Sequence, residues 1–319
     1  MYPFTFHPLF KERVWGGRML ESLYQKPLPP GVPIGESWEI SDRPGDVSVI
    51  ANGPLAGKDL RWLMQHHPGE LLGSAKSQQG RFPLLVKLLD ARQKLSLQVH
   101  PPKAKAEQLG GEPKTEMWYV ADAAPTAELF AGLKPGVTRQ EFEQRLQNGT
   151  VADCFQRLPV TPGDAMFLPS GRVHAIGSGL VVFEIQQNSD TTYRVFDWNR
   201  TGLDGKPRQL HIPESLASID FNDYAPALVP QHYQEQNGLR RRALVKDPLF
   251  SVELVTALLQ TSMPLSSKLR ILGVVEGQVT ASAGGQQATA GKGQFILLPA
   301  SVKAELALPA ATTLLLAEI

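Results

Sequence analysis

Short runs of aliphatic and β-branched residues, separated by glycine and proline, set the pattern of this chain. Such runs predict strands over 84–89, 95–99, 117–121, 165–168, 181–186, 192–197, 252–258, 269–275 and 295–298. Helical signals are fewer. Thr138-Arg-Gln-Glu141 has capping-box spacing, Phe142 and Leu146 follow at i and i+4, and Asn148-Gly149 supplies a stop, so a helix is predicted over 138–148. Residues 58–67 and 103–109 are further helical candidates, the second opening just after Pro101-Pro102. The polar stretch 226–242 ends in Arg240-Arg241-Arg242 and reads as a connector between lobes, with the arginines on a solvated turn or edge. The pattern predicts a mainly β architecture with a few short helices.

One stretch of the chain resembles another. GDAMFLPSGRVHAI from Gly163 aligns with GQFILLPASVKAEL from Gly293, matching Gly163 with Gly293, Leu168 with Leu298 and Pro169 with Pro299. Each copy reads as a glycine turn, a buried strand and a proline turn. The second copy has Ser301 and Ala304 where the first has Gly171 and His174, so it can keep the strand geometry without keeping a ligand.

Length and charge narrow the picture further. With 319 residues the chain is long enough for two cores, or for one large core with a lobe. Lys plus Arg (32) nearly cancels Asp plus Glu (31), so no overall field draws it to nucleic acid or an anionic membrane. An anionic ligand must therefore be met by a local cluster. Cys154, the one cysteine, precludes an internal disulfide, fits a reducing compartment and reads as a buried inert thiol. The start MYPFTFHPLFKERVWGG has no basic segment leading into an apolar one, and apolar runs such as 312–317 fall far short of a membrane span. The expectation is a soluble, cytoplasmic protein.

The chemistry concentrates in three segments. In Gly163-x5-Pro169-x-Gly171-x2-His174 the glycine permits a tight turn into a strand, and the proline and second glycine shape the exit. His174 in isolation reads equally well as a structural histidine or as a ligand. In LSLQVHP (95–101), Gln98 and His100 lie two apart and share one strand face. Glu116, after the turn-rich GGEP of 110–113, opens the next apolar run and can project into the same space from a neighbouring strand. Two imidazoles, a carboxylate and an amide oxygen suit zinc and leave room for water or substrate. The remaining histidines, His7, His66, His67, His211 and His232, show no ligand spacing.

The glycine–proline–histidine motif resembles the second motif of cupin barrels, departing from it at Ser178, where an asparagine is common. Together with GESWEIS (35–41), LLVKLLDARQKLSLQVHP (84–101), KTEMWYV (114–120) and QQNSDTTYR (186–194), it makes most of the chain similar to the short bacterial class of type I mannose-6-phosphate isomerases. That resemblance implies two cupin-type (jelly-roll) β-barrel lobes: a catalytic lobe over 1–230 and a degenerate lobe over 231–319 that lacks metal ligands. It implies one zinc ion per chain held by Gln98, His100, Glu116 and His174, a hexose phosphate as substrate, and exchange of mannose 6-phosphate with fructose 6-phosphate through a cis-enediol. The glutamine comes from the resemblance alone, since spacing rules do not select it. By position, Arg194 matches an active-site arginine that stabilises developing charge, and Lys114 and Ser96 match residues of the substrate pocket. The proton carrier is left open among Glu184, a metal-bound water and Lys114 with a depressed pKa. Other readings stay beside these. Arg194 can be an ion-pair partner of Asp190 or Asp197, Glu184 a structural ion-pair member, and Lys87 either a cavity residue that meets substrate or an edge residue. A non-catalytic sugar-binding bicupin and a metal-dependent cupin oxygenase are the alternative functions, the second disfavoured by Gln98-x-His100 in place of His-x-His.

Overall fold

A computed structural model describes all 319 residues. The expected mainly β organisation is present, as two copies of one topology. In the first half a six-stranded antiparallel sheet takes the strands in the order Leu9–Gly17, Ile34–Ile40, Leu84–Ala91, Leu180–Gln187, Glu116–Ala123, Ala165–Leu168. A five-stranded sheet follows the order Tyr193–Phe196, Leu97–Val99, His174–Ile176, Glu128–Leu133, Phe155–Pro159. The second half repeats the scheme with a six-stranded sheet ending on Arg270–Glu276 and Phe295–Leu298, and a four-stranded sheet containing Ala304–Leu308. The repeat read from the sequence is thus structural: Ala165–Leu168 and Phe295–Leu298 are both the terminal strand of their sheet, and Gly163 and Gly293 both turn into them with positive φ. The sheets have free edges and do not close into barrels, which corrects the expectation of closed β-barrel lobes.

Alternation along the strands sorts the side chains into layers. Val86, Leu88, Met117, Tyr119, Phe183 and Ile185 point from the first six-stranded sheet into a core of 35 buried residues that also takes Val252, Leu254, Ile271, Leu297 and Leu315 from the second half. The two six-stranded sheets therefore share one apolar interior. The opposite face of the first sheet packs Leu89, Val120 and Val182 against Leu129, Ala131 and Ile176 of the five-stranded sheet. Further along, the same face turns polar at Lys87, Glu116, Glu184 and Gln186, all of them buried. That polar end of an otherwise apolar sandwich is where the cavity lies.

The helix expected over 138–148 forms as Arg139–Gln147, with the Glu141 backbone N–H donating to Thr138 Oγ1 at 3.1 Å. The other two are shorter than expected, Leu60–His66 behind an Asp59 cap and Lys103–Ala106. The stretch 226–242 departs from its reading as connector. It contains the strand Gln234–Gln236 and the start of Leu239–Lys246, and Arg242 is buried, donating to the carbonyls of Pro230, Gly163 and Val229 at 3.0, 2.7 and 2.6 Å. Period-2 alternation explains it, since Arg242 falls on the face of its strand that meets the first half. Cys154 is buried as expected.

Candidate metal centre and active-site cavity

His174 opens the strand His174–Ile176 and stands opposite Gln98 in register, and Gln98 in turn stands opposite Arg194 on the far side. Three sequence-distant residues thereby form one row across the five-stranded sheet. Gly171 makes the bend before His174: its φ of +92° is a left-handed conformation, and a Cβ there would lie 3.3 Å from the Ser218 carbonyl. Glu116 faces this row from the other sheet, beside Gln186 in the adjacent strand.

The four expected ligands converge. His174 Nε2 lies 3.2 Å from His100 Nε2, 3.2 Å from Glu116 Oε1 and 3.3 Å from Gln98 Nε2. His100 Nε2 lies 3.6 Å from Glu116 Oε2. His100, Glu116 and His174 form the single cluster of three or more His, Cys, Asp or Glu side chains able to hold a metal ion, and all three are buried. Backbone carbonyls fix the ring orientations: His100 Nδ1–H donates to Thr191 at 2.8 Å and His174 Nδ1–H to Arg172 at 2.9 Å. Each Nε2 is therefore an unprotonated acceptor. Burial holds both imidazoles below their ordinary pKa, His100 at about 4, which keeps the second proton off.

Acceptors thus meet acceptors. Both Glu116 oxygens are buried and receive no hydrogen bond, although Lys114 Nζ stands 2.8 Å from Oε2. Burial alone would raise the Glu116 carboxyl, but the Lys114 ammonium outweighs it and holds the group well below the usual carboxylate range. Converging lone pairs on a buried anion with no proton between them are the electrostatics of a cation site. Gln98 fits it: its amide Nε2 faces His174 here, and half a turn about the last side-chain bond exchanges Nε2 for Oε1, with Ser96 Oγ beside it at 3.3 Å to take the amide hydrogen.

The cluster lies beside a cavity of about 560 Å³ lined by Ser96, Gln98, Lys114, Lys87, Glu184 and Arg194, among others. Every residue expected in the substrate site is on its wall. The charges on that wall alternate. Trp38, Lys87, Glu184 and Trp118 stand opposite one another across four strands. Lys87 Nζ is 3.0 Å from Glu184 and 4.0 Å from Glu36, Glu36 accepts from Arg13 Nε at 2.8 Å, and the Trp118 indole donates to Glu184 at 2.9 Å. Lys87 is thus a cavity residue rather than an edge residue, and Glu184 is in an ion pair that also faces the cavity. For Lys114, burial works downward, but Glu116 and Glu184 outweigh it and its pKa is raised, opposite to the depressed amine of a ready-made base. Arg194 makes no ion pair with Asp190 or Asp197. Asp197 is taken by Arg200 and Arg208, and Arg194 Nε is buried without an acceptor.

Arg13, Glu36, Arg208 and His211 also line the cavity and were not singled out by sequence reasoning. Glu36 sits inside the GESWEIS segment, and Lys11, Arg13 and Trp15 share a face by alternation. That pattern was available, but a cavity-facing charge has the same period as a solvent-facing one.

A buried two-histidine, one-carboxylate cluster able to hold a metal ion, flanked by an amide, on the wall of a cavity lined by acidic and basic side chains between two β-sheets, fits the class of metal-binding β-sandwich enzymes. Comparison with known proteins narrows that class. Residues 4–124 match the family model for the phosphomannose isomerase type I catalytic domain. The chain is 36% identical over 301 residues to the probable mannose-6-phosphate isomerase GmuF of Bacillus subtilis, covering 94% of each. It is 36% identical over 302 residues to the mannose-6-phosphate isomerase of Streptococcus mutans, covering 93% of each. A solved structure of the mannose 6-phosphate isomerase from Bacillus subtilis superimposes with a TM-score of 0.89 at 30% identity over the full length of both chains. The chain belongs to the type I mannose-6-phosphate isomerase family.

Proposed function

We propose that this chain interconverts mannose 6-phosphate and fructose 6-phosphate through a cis-enediol, using one zinc ion held by Gln98, His100, Glu116 and His174. The observation that carries the reading is the convergence of unprotonated acceptors beside a cavity of about 560 Å³. Zinc binds nitrogen and oxygen at about 2.0–2.1 Å, so tetrahedral ligands stand about 3.4 Å apart. The separations of 3.2, 3.2 and 3.6 Å among His100, Glu116 and His174 match that edge. When bound, such an ion supplies Lewis-acid stabilisation of negative charge developing on substrate oxygen.

The chain's own residues do the rest. Arg194, a guanidinium with no protein anion of its own, offers fixed hydrogen bonds to the enediolate oxygens. Lys114, kept charged beside Glu116, donates to a substrate oxygen, and Ser96 contributes a hydroxyl next to Gln98. In this reading Glu184 moves the proton between C2 and C1. Trp118 and Lys87 fix its orientation from two sides, and Lys87 meets the sugar beside it. We read the two structural copies as jelly-roll lobes divided near residue 230, the first catalytic and the second without ligands. With no helix long and apolar enough to cross a membrane and a net charge of +1, the reading is a cytoplasmic enzyme acting on a small hexose phosphate, with no nucleic-acid partner.

Metal analysis combined with a coupled assay for fructose 6-phosphate formation tests cofactor and chemistry together. Chelation is expected to abolish turnover and zinc to restore it. Turnover persisting in metal-free protein overturns the proposal, and binding of mannose 6-phosphate without conversion points instead to a sugar-binding protein.

A further inference from the structure

A second cavity, of about 590 Å³, opens at the end of the first six-stranded sheet, between the helix Met19–Tyr24 and the strand ends that carry Asp90, Asp122 and Val181. It shares no lining residue with the cavity beside the metal cluster. Its walls are mixed. Met19, Ala123, Leu180 and Val181 are apolar, and five charged residues stand among them: Arg18, Glu21, Asp90, Arg92 and Asp122.

Asp90 is 1% exposed, yet no cationic side chain lies in ion-pair range of it. Its one hydrogen bond comes from the Met19 backbone N–H, which donates to Oδ2 at 2.6 Å. Oδ1 accepts none. Gly17 passes so close that a Cβ there would lie 2.7 and 2.9 Å from the two carboxylate oxygens. Burial pushes the carboxyl above its ordinary pKa, and the Met19 N–H and Arg92 pull it back only in part. An asparagine would accept the same hydrogen bond from Met19 without placing a charge in the interior, and a buried charge without a partner is costly. The charge of Asp90 therefore serves nothing within the chain.

Asp122 completes the arrangement. Val181 stands opposite Asp90 in one neighbouring strand and opposite Asp122 in the other, so the two carboxylates flank it on one face of the sheet. With strands about 4.8 Å apart, their backbones lie about 10 Å from each other, and the side chains can close on a group held between them. Asp122 has no ion-pair partner either. Arg18 and Glu21 pair with each other at 2.8 Å, and Arg18 also donates to the Pro29 and Val32 carbonyls. That leaves two carboxylates against the exposed guanidinium of Arg92, a surplus of one negative charge. The pair does not form a metal site, since the one cluster with converging ligand atoms is His100, Glu116 and His174. An unpaired buried anion on a largely apolar wall suits a cation that is itself partly apolar.

We propose that this cavity binds a small organic cation, with its ammonium group between Asp90 and Asp122 and its apolar body against Met19, Leu180 and Val181. The site is separate from the metal cluster and does not depend on the isomerase reading.

The test is calorimetric titration of the zinc-loaded full chain with n-hexylammonium chloride, run with and without mannose 6-phosphate in the other cavity. Saturable binding of one hexylammonium per chain is expected in both conditions. Hexan-1-ol, which has the same apolar body without the charge, should bind about 10-fold more weakly or worse, and hexanoate should not bind measurably. Asp90→Asn keeps the acceptor for Met19 and removes the charge. Its affinity for hexylammonium should fall about 10- to 100-fold, with that for hexan-1-ol unchanged. Asp122→Asn should show a smaller loss in the same direction, and it decides by the same comparison should Asp90→Asn not fold. Absence of saturable hexylammonium binding overturns the proposal, as does equal affinity for the amine and the alcohol, or unchanged amine affinity in Asp90→Asn. Amine binding that disappears when mannose 6-phosphate is present belongs to the other cavity and overturns it too. A chain that binds hexylammonium through Asp90 and isomerises nothing overturns the isomerase reading alone.

Discussion

Removing the charge of Glu36 should weaken the whole fold in a pH window that the structure defines. Glu36 sits in the strand Ile34–Ile40, with Arg13 Nε at 2.8 Å, the Trp38 indole at 2.5 Å and Lys87 at 4.0 Å. Burial pushes its carboxyl up, but Lys87 and Arg13 outweigh that and bring it from 4.5 down to about 2. A downward shift means that the folded state holds the proton less tightly than the unfolded chain. The resulting stability is fully present above the unfolded value and is lost as pH falls through the folded one. At about 1.4 kcal/mol per pH unit, the shift corresponds to about 3 kcal/mol at neutral pH. Loss of one member of a buried pair independently leads to about 3–5 kcal/mol. By pH 3 about 2 kcal/mol of the Glu36 contribution should be gone. The assay is urea unfolding of the metal-free chain and of Glu36→Gln from pH 7 to pH 3, taking the difference at each pH so that other carboxylates cancel. A difference near 3 kcal/mol, flat above pH 5 and shrinking to about 1 kcal/mol at pH 3, is expected. A difference below 1 kcal/mol at pH 7, or one that does not change with pH, refutes the account of the charge row.

His174→Ala should lose the metal, whereas Arg194→Ala should keep it and lose about a hundred- to a thousand-fold in kcat, read by metal analysis and steady-state kinetics. Unchanged turnover in the arginine variant removes the charge-stabilising role of Arg194. Arg242→Leu should destabilise the chain by about 3 kcal/mol or more, because three buried carbonyls lose their donor. Thermal unfolding reads it, and an unchanged melting temperature would show that water replaces the guanidinium. Thr138→Ala should cost about 1 kcal/mol through loss of the cap on Arg139–Gln147, a small effect measurable by the same method and absent if the helix frays there already.

How far the site was legible follows from the range over which each signal acts. Gln98 and His100 share a face by strand alternation, and Gly171 before His174 shows a turn, so local pattern places both segments. That they meet Glu116 is a matter of strand order: His174–Ile176 comes to lie against Leu97–Val99, more than seventy residues earlier in the chain. Only the family resemblance carried that information beforehand. The strand Leu9–Gly17, which turns charged residues to the cavity, escaped the periodic reading, as did Glu128–Leu133 and the hairpin Gln278–Ala283 with Gln286–Gly291 around Gly284-Gly285. Arg242 escaped for a different reason. A buried arginine satisfied by carbonyls has no sequence partner to reveal it, and in a run of three arginines it looks like surface.

Alternation also explains why the second half stays packed against the half that carries the His100, Glu116 and His174 cluster. In the strands Glu116–Ala123 and Leu180–Gln187 the even-numbered residues Glu116, Trp118, Glu184 and Gln186 face the site, and the odd-numbered Met117, Tyr119, Phe183 and Ile185 face away from it. A sheet that is polar on its working side needs its other side buried to stay folded. The second six-stranded sheet supplies that cover with Val252, Leu254, Ile271 and Leu315. Its own sandwich is filled instead with Ala281, Ala290, Ala304 and Leu306. Ala304 stands where the first half has His174, and Arg270, opposite Leu298 as Glu116 is opposite Leu168, is paired with Glu318. A shift of one residue in the register of Leu180–Gln187 would turn Glu184 into the shared core and Phe183 into the cavity, so the apolar packing between the halves is also what holds the cavity-facing row in place.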